Sequence, residues 1–283
     1  MNKKGIGEQT LKYMIILAIV TLILFAFTKS LQTGLNNATR GTGCYNSMTI
    51  NSFTKVEYGI GTYDGIDLFC PKYDLIFKKK IAELFVTSRD ASGEVKTKKH
   101  KTIEYKTNDN KLNKDLINDL VAREMVECWK QFGAGKMPAF WVPEPIWKKV
   151  FHDVPTDSVG CRICSEIKFE NGVWNSEVFG LKDYMKQTTL SKSVTSTTSG
   201  FIYDYIANRE SGCGEVQGGE NCWETFAKLP LVRINTNKPI KPSEQNLIVF
   251  TRMNTNKYEG TLNVYHMTLD EYKYTCKYNL PYI

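Results

Sequence analysis

The sequence predicts an α+β ectodomain, stapled by disulfides, behind one N-terminal transmembrane helix. Three observations carry this. Tyr13 to Thr28 is an uncharged apolar run with Lys12 and Lys29 at its ends. All 8 cysteines fall after that run, at Cys44, Cys70, Cys128, Cys161, Cys164, Cys213, Cys222 and Cys276. The body behind it alternates short β-patterned runs with one strongly periodic helix.

The apolar run is at the short end of what a bilayer needs, since a spanning helix takes about 17–25 apolar residues. Lysine stems at both ends can lie along lipid and extend it. Tyr13 stands where an interfacial aromatic belongs. Residues 1–35 are therefore expected to be a basic leader and membrane helix, with lipid contacting Tyr13 to Thr28. Lys3, Lys4 and Lys12 precede the run, while Lys29 and Arg40 follow it. That bias puts the N-terminus in the cytoplasm and the body outside. Two other fates fit the same leader. One is a secretory signal, although Ala26-Phe27-Thr28 is a poor small-x-small site. The other is a pilin-like subunit. Lys3-Lys4-Gly5 before an apolar helix resembles the class III leaders of archaeal pilins, but Thr10 stands where a glutamate is expected.

The formal net charge is +7, and residues 1–29 contribute +3 of it through four lysines and Glu8. The body is thus weakly basic, which does not argue for nucleic acid. The runs Lys78-Lys79-Lys80 and Lys96 to Lys101 read as a solvated face, or alternatively as a patch for an acidic envelope or surface polymer. An even cysteine count confined to the expected outer side reads as a disulfide framework. Each bridge contributes about 2–4 kcal/mol. Asn37-Ala38-Thr39 is a glycosylation sequon just beyond the membrane.

Along the body, residues 36–65 are rich in Asn, Thr, Ser and Gly and read as a stalk, pinned by Cys44. Residues 66–283 form the ectodomain. Leu68 to Cys70, Leu75 to Phe77 and Ile81 to Thr87 are short strands, and Val95 to Tyr105 returns as a polar strand after the turn at Asp90 to Gly93. The main helix carries Leu112, Leu116, Leu120, Val121, Met125, Cys128 and Phe132 as its apolar stripe. Thr107 to Asn110 offer N-caps, and Gly133 offers a C-cap. Residues 133–160 hold four of the nine prolines, so a long helix is excluded there. Their aromatics, Phe140, Trp141 and Trp147, pin a loop or form an exposed platform for glycan or peptide.

Cys161 to Glu170 alternates as a strand, with Ile163, Ser165, Ile167 and Phe169 on one face and Cys164, Glu166 and Lys168 on the other. Asn171-Gly172 ends it in a turn. Short helices are expected at Leu181 to Gln187 and Phe201 to Asn208. Cys213 and Cys222 close a Gly-rich loop and are the one pair the spacing favours. Leu247 to Arg252 and Leu262 to Met267 form a hairpin, and Cys276 staples the tail.

Three segments together carry a resemblance. They are the leader MNKKG with its helix, Cys128-Trp129 followed by Phe132-Gly133-x-Gly135-Lys136, and Cys161-x-x-Cys164-x-x-Ile167-x-Phe169. They resemble an uncharacterised family of single-pass, Cys-rich membrane proteins of small-genome archaea, over residues 1–30 and 66–210. The resemblance implies an archaeal surface protein and no particular activity.

No residues qualify as catalytic, cofactor-binding or metal-ligating. Cys161-x-x-Cys164 opens a strand, where a redox pair opens a helix whose dipole lowers the thiolate pKa. It reads as two half-cystines with separate partners, as a local bridge, as half a zinc site or as a thiol–disulfide oxidoreductase centre. The histidines, His100, His152 and His266, share no metal spacing. Gly133-Ala134-Gly135-Lys136 lacks the first glycine and the Ser/Thr of a P-loop. Glu124 and Glu127 fall on the expected solvent face. The expectation is a membrane-anchored structural or interaction protein of the cell surface, with a protein or surface polymer as partner. A pilin-like subunit and an extracytoplasmic thiol–disulfide oxidoreductase are the alternatives.

Overall fold

Runs of β-branched and aromatic residues with period two build the sheet. The computed structural model describes residues 13–16, 19, 44, 56–58, 61–63, 70–89, 94–105, 111–132, 158–190, 200–207, 222–230, 232–254, 262–276 and 278–279. The chain divides into two units, Met1–Thr39 and Arg40–Ile283. In the first, residues 13–16 and 19 are helical and exposed. The rest of the apolar run lies outside the described residues, as does Asn37. No helix among the described residues is long and apolar enough to cross a membrane.

In the second unit, β1 (Val56–Tyr58) and β2 (Gly61–Tyr63) form a short antiparallel hairpin inside the segment expected to be a stalk. The main sheet holds β3 (Lys72–Phe77), β4 (Ile81–Arg89), β5 (Val95–Glu104), β6 (Ser158–Phe169), β7 (Asn246–Asn254), β8 (Leu262–Thr268) and β9 (Tyr278–Asn279). Its order is β5-β4-β3-β6-β7-β8, and β9 also pairs with β6. The α+β class expected from sequence is therefore present, but the sheet is mixed and not wholly antiparallel. β6 lies parallel to both β3 and β9. The reason is topological. After β5 the chain passes through the main helix before β6 begins, and such a long crossover is what parallel neighbours require.

That helix is α1 (Lys114–Gln131). Its cap is Asn113, whose side chain accepts from the Leu116 N–H at 2.8 Å, so the start lies a few residues beyond the expected Thr107 to Asn110. Leu120, Val121, Met125, Cys128 and Phe132 are buried as the stripe predicts, with Ile117 and Trp129 beside them. The burial goes further round than one stripe, because α2 (Leu181–Gln187) and α3 (Ile202–Ile206) pack on the same helix as the sheet does. A helix covered on several sides must be buried on several sides. Glu124 shows this. The sequence placed it in solvent, yet it is 6 % exposed and accepts from Ser165 Oγ at 2.9 Å.

Two further helices fall in stretches for which the sequence predicts no element. They are α4 (Cys222–Ala227) and α5 (Leu269–Thr275). α5 starts with a reciprocal cap, in which Thr268 accepts from the Glu271 N–H while the Glu271 carboxylate accepts from the Thr268 N–H. The pattern Thr268-x-x-Glu271 is a sequence signature of that box.

Among the described residues, three bridges tie these elements together. Cys44–Cys70 joins the segment before the sheet to the start of β3, Cys128–Cys164 joins α1 to β6, and Cys161–Cys276 joins β6 to the end of α5. Cys213 lies outside the described residues, so the favoured Cys213–Cys222 pair does too.

Candidate functional site

The sharpest chemical candidate in the sequence was Cys161-x-x-Cys164. Both residues are buried and each has its own distant partner. The arrangement departs from simple alternation. On β6 the pairing with β7 runs from Ile163↔Val249 to Ser165↔Ile248, leaving Cys164 as an extra residue. A bulge of this kind re-aims side chains. Cys164 and Ser165 both reach α1, at Cys128 and Glu124, one helical turn apart. Cys164 therefore shares a face with Ser165, and the expected grouping with Glu166 and Lys168 is corrected. Cys161 points away to Cys276 at the end of α5. The two sulfurs are structural staples on opposite sides of the strand.

The opposite face of β3 and β6 carries charge. Register places Asp74 beside Glu166 and Ile76 beside Lys168. Lys72 reaches Glu166 at 2.6 Å and Asp74 at 3.4 Å, and Lys168 reaches Glu166 at 3.3 Å. Gln245 adds a hydrogen bond to Glu166 at 2.8 Å. Burial pushes the Glu166 carboxyl up, but the two lysines outweigh it and hold it below its ordinary value. On the same face Glu83 sits between Lys78 and Lys99, and their hydrogen bonds hold its carboxyl below the ordinary value. Each carboxylate here is answered by lysine, so the network is internally compensated.

His266 is interior. Asn246 fixes its tautomer: the Asn246 amide donates to the Lys241 and Glu244 carbonyls, both at 2.8 Å. Its Oδ1 is thus the acceptor, and His266 Nε2, 3.0 Å away, must carry the proton. Burial, and then the nearby Lys238, hold the imidazole well below its ordinary pKa of 6.5. Burial also pulls the Lys238 ammonium down, to about 7, against Glu244. Lys238 also contacts Glu271. The sign for His266 is clear. The unfolded chain binds its proton first, so stability is full above pH 6.5 and declines as pH falls below it. The expected slope is up to about 1.4 kcal/mol per pH unit. Urea midpoints measured at pH 7 and pH 5.5 should show the loss, and His266→Gln should flatten it. An unchanged slope in the variant would assign the acid sensitivity to another group.

β5 is the opposite case, because it is an exposed edge. Nearly every residue of Val95–Glu104 is exposed, and among the described residues it pairs only with β4. Tyr105, at its end, is buried, and its hydroxyl lies 2.8 Å and 2.7 Å from the Lys78 and Ile81 carbonyls, anchoring the strand to the β3–β4 turn. β5 also contains a bulge. Leu84 opposes Lys101 and Phe85 opposes Lys99, so His100 is the extra residue. His100 lies edge-on to Tyr73, with ring centroids 5.7 Å apart. Composition located this basic run, but no sequence signal marked the bulge. His152 and the aromatics Phe140, Trp141 and Trp147 lie outside the described residues.

Against known proteins, no family model, no curated sequence and no solved structure matches the chain.

Proposed function

We propose that this chain is a membrane-anchored, extracytoplasmic contact protein of the cell surface, of the kind its resemblance to single-pass archaeal surface proteins implies. The N-terminal helix holds it at the bilayer, and the stapled sheet presents a basic edge strand to a partner. The observation that carries this reading is the use of Cys161 and Cys164. Each is spent on a separate bridge to a different element, which is what a rigid presenting scaffold needs and what a thiol-exchange centre does not. The exposed lysines Lys96, Lys98 and Lys101 of β5 supply the contact surface. The body tolerates an oxidising compartment because these cysteines are already paired.

The test is maleimide labelling of the full chain in intact cells, with and without prior reduction, combined with protease added from outside. The expected result is no labelling of Cys44, Cys70, Cys128, Cys161, Cys164 or Cys276 before reduction, and external loss of the body. Labelling of Cys161 and Cys164 without reductant would overturn the contact reading in favour of the oxidoreductase. A protected body would overturn its placement outside the cell.

A further inference from the structure

The bulge at His100 changes which lysines of β5 face together. In an uninterrupted strand, residues two apart share a face and Lys99 would lie with Lys101. Here Lys99 opposes Phe85, while Lys101 opposes Leu84. Adjacent residues of β4 point to opposite faces, so Lys99 and Lys101 do as well. Lys98 opposes Val86 and Lys96 opposes Ser88. Lys96, Lys98 and Lys101 therefore lie against Ser88, Val86 and Leu84, every second residue of the partner strand. The bulge converts an irregular sequence spacing into an even pitch of about 7 Å, twice the rise of a strand. Lys99 is left on the other face, held by Glu83 together with Lys78.

We infer that this evenly pitched lysine strip, with His100 beside it, docks a linear polyanion whose charges repeat at about the same distance. The fitting chemistry is a phosphodiester-linked polyol, such as a glycerol phosphate chain. The inference rests on the reading of the chain as a contact protein and names the partner class of that surface. All three lysines are exposed. Lys96 also reaches Glu94 at 3.3 Å, an exposed pair that water screens and a competing phosphate can displace. Two other occupants fit less well. A bulged, lysine-bearing edge is poorly suited to adding a further strand. A bilayer surface calls for apolar anchors beside the charges, and the exposed Val95 opposes Arg89, on the Lys99 face and away from the strip.

The experiment is calorimetric titration of the full chain, in nanodiscs of neutral lipid, with synthetic poly(glycerol phosphate). Lys98→Ala and Lys101→Ala are each expected to weaken binding by about tenfold and to reduce its salt dependence. Lys99→Ala, on the same strand with the same charge change, is expected to stay within about twofold. Deleting His100 removes the bulge but leaves Lys99 and Lys101 adjacent, still opposite Phe85 and Leu84, so the strip survives and binding is expected to stay within about twofold. Should that deletion unfold the chain, the contrast between the point variants still decides the matter. Equal effects of Lys99→Ala and Lys101→Ala would overturn the strip. So would an absence of binding, or tighter binding to polyglutamate or to phosphatidylglycerol vesicles. Because the labelling test reports where the body lies and which thiols are free, its outcome is separate from this one.

Discussion

Replacing both Cys161 and Cys276 with alanine is expected to lower the stability of the body by about 5 kcal/mol. The size follows from the loop the bridge closes. The two residues are 115 apart in sequence, and the chain entropy removed from the unfolded state grows with that separation. The Cys128–Cys164 bridge closes a separation of 36, for which the same relation gives about 4 kcal/mol. The longer bridge also holds the tail in place. β9 follows Cys276 directly and pairs with Gly160 and Cys161, while Thr275 accepts from the Arg233 N–H at 3.0 Å. Urea unfolding of the double variant measures the loss, and the double replacement avoids a lone reactive thiol. A loss under about 1 kcal/mol would mean that the unbridged chain keeps the tail docked and that the entropic account of this bridge is wrong.

Phe250→Ala is expected to cost about 3–5 kcal/mol, the range for truncating a large buried aromatic. Phe250 is fully buried on β7. It stacks on Phe132 with centroids 4.0 Å apart and lies 6.3 Å from the Trp129 ring. The cavity would open where α1 meets the sheet, so the rings around it have little freedom to collapse. Phe250→Leu, which refills most of the volume, should recover more than half of the loss. If alanine and leucine behaved alike, the aromatic stacking and not the filled volume would be the larger contribution.

These two sites show what could be read before the fold was known. The stripe of α1, the strand carrying Phe250, the Asn171-Gly172 turn with Gly172 at φ 76° and the boundaries of α2 were all legible. Each is a local property of periodicity or of a residue's backbone freedom. The bridge partners were not legible, because eight cysteines allow 105 pairings. The burial of Cys128 was legible from its place on the stripe, but its pairing with Cys164 was not. Both bulges were invisible for a related reason. An extra residue in a ladder is defined by the partner strand, and neither Cys164 nor His100 differs locally from its neighbours. The burial of Glu124 was missed because helical periodicity reports one buried face, while α2, α3 and the sheet together cover more. α5 is not among the elements the sequence predicts, although its Thr268-x-x-Glu271 box is present there.

The place of β6 bears on how the chain reaches this state. β3, β4 and β5 follow one another as hairpins, and β7 and β8 form a second hairpin. Both groups can assemble from near neighbours in microseconds. β6 has no such option, since its partners β3, β7 and β9 are all remote in sequence. Non-local and parallel pairings are slow because loop-closure entropy is lost before the contacts form. The strand that joins the two halves is thus the late arrival, and until it docks, β3 and β7 each expose an unsatisfied edge. Newly synthesised chains are most prone to aggregate in that interval, and the yield of folded protein should depend on how quickly β6 is inserted.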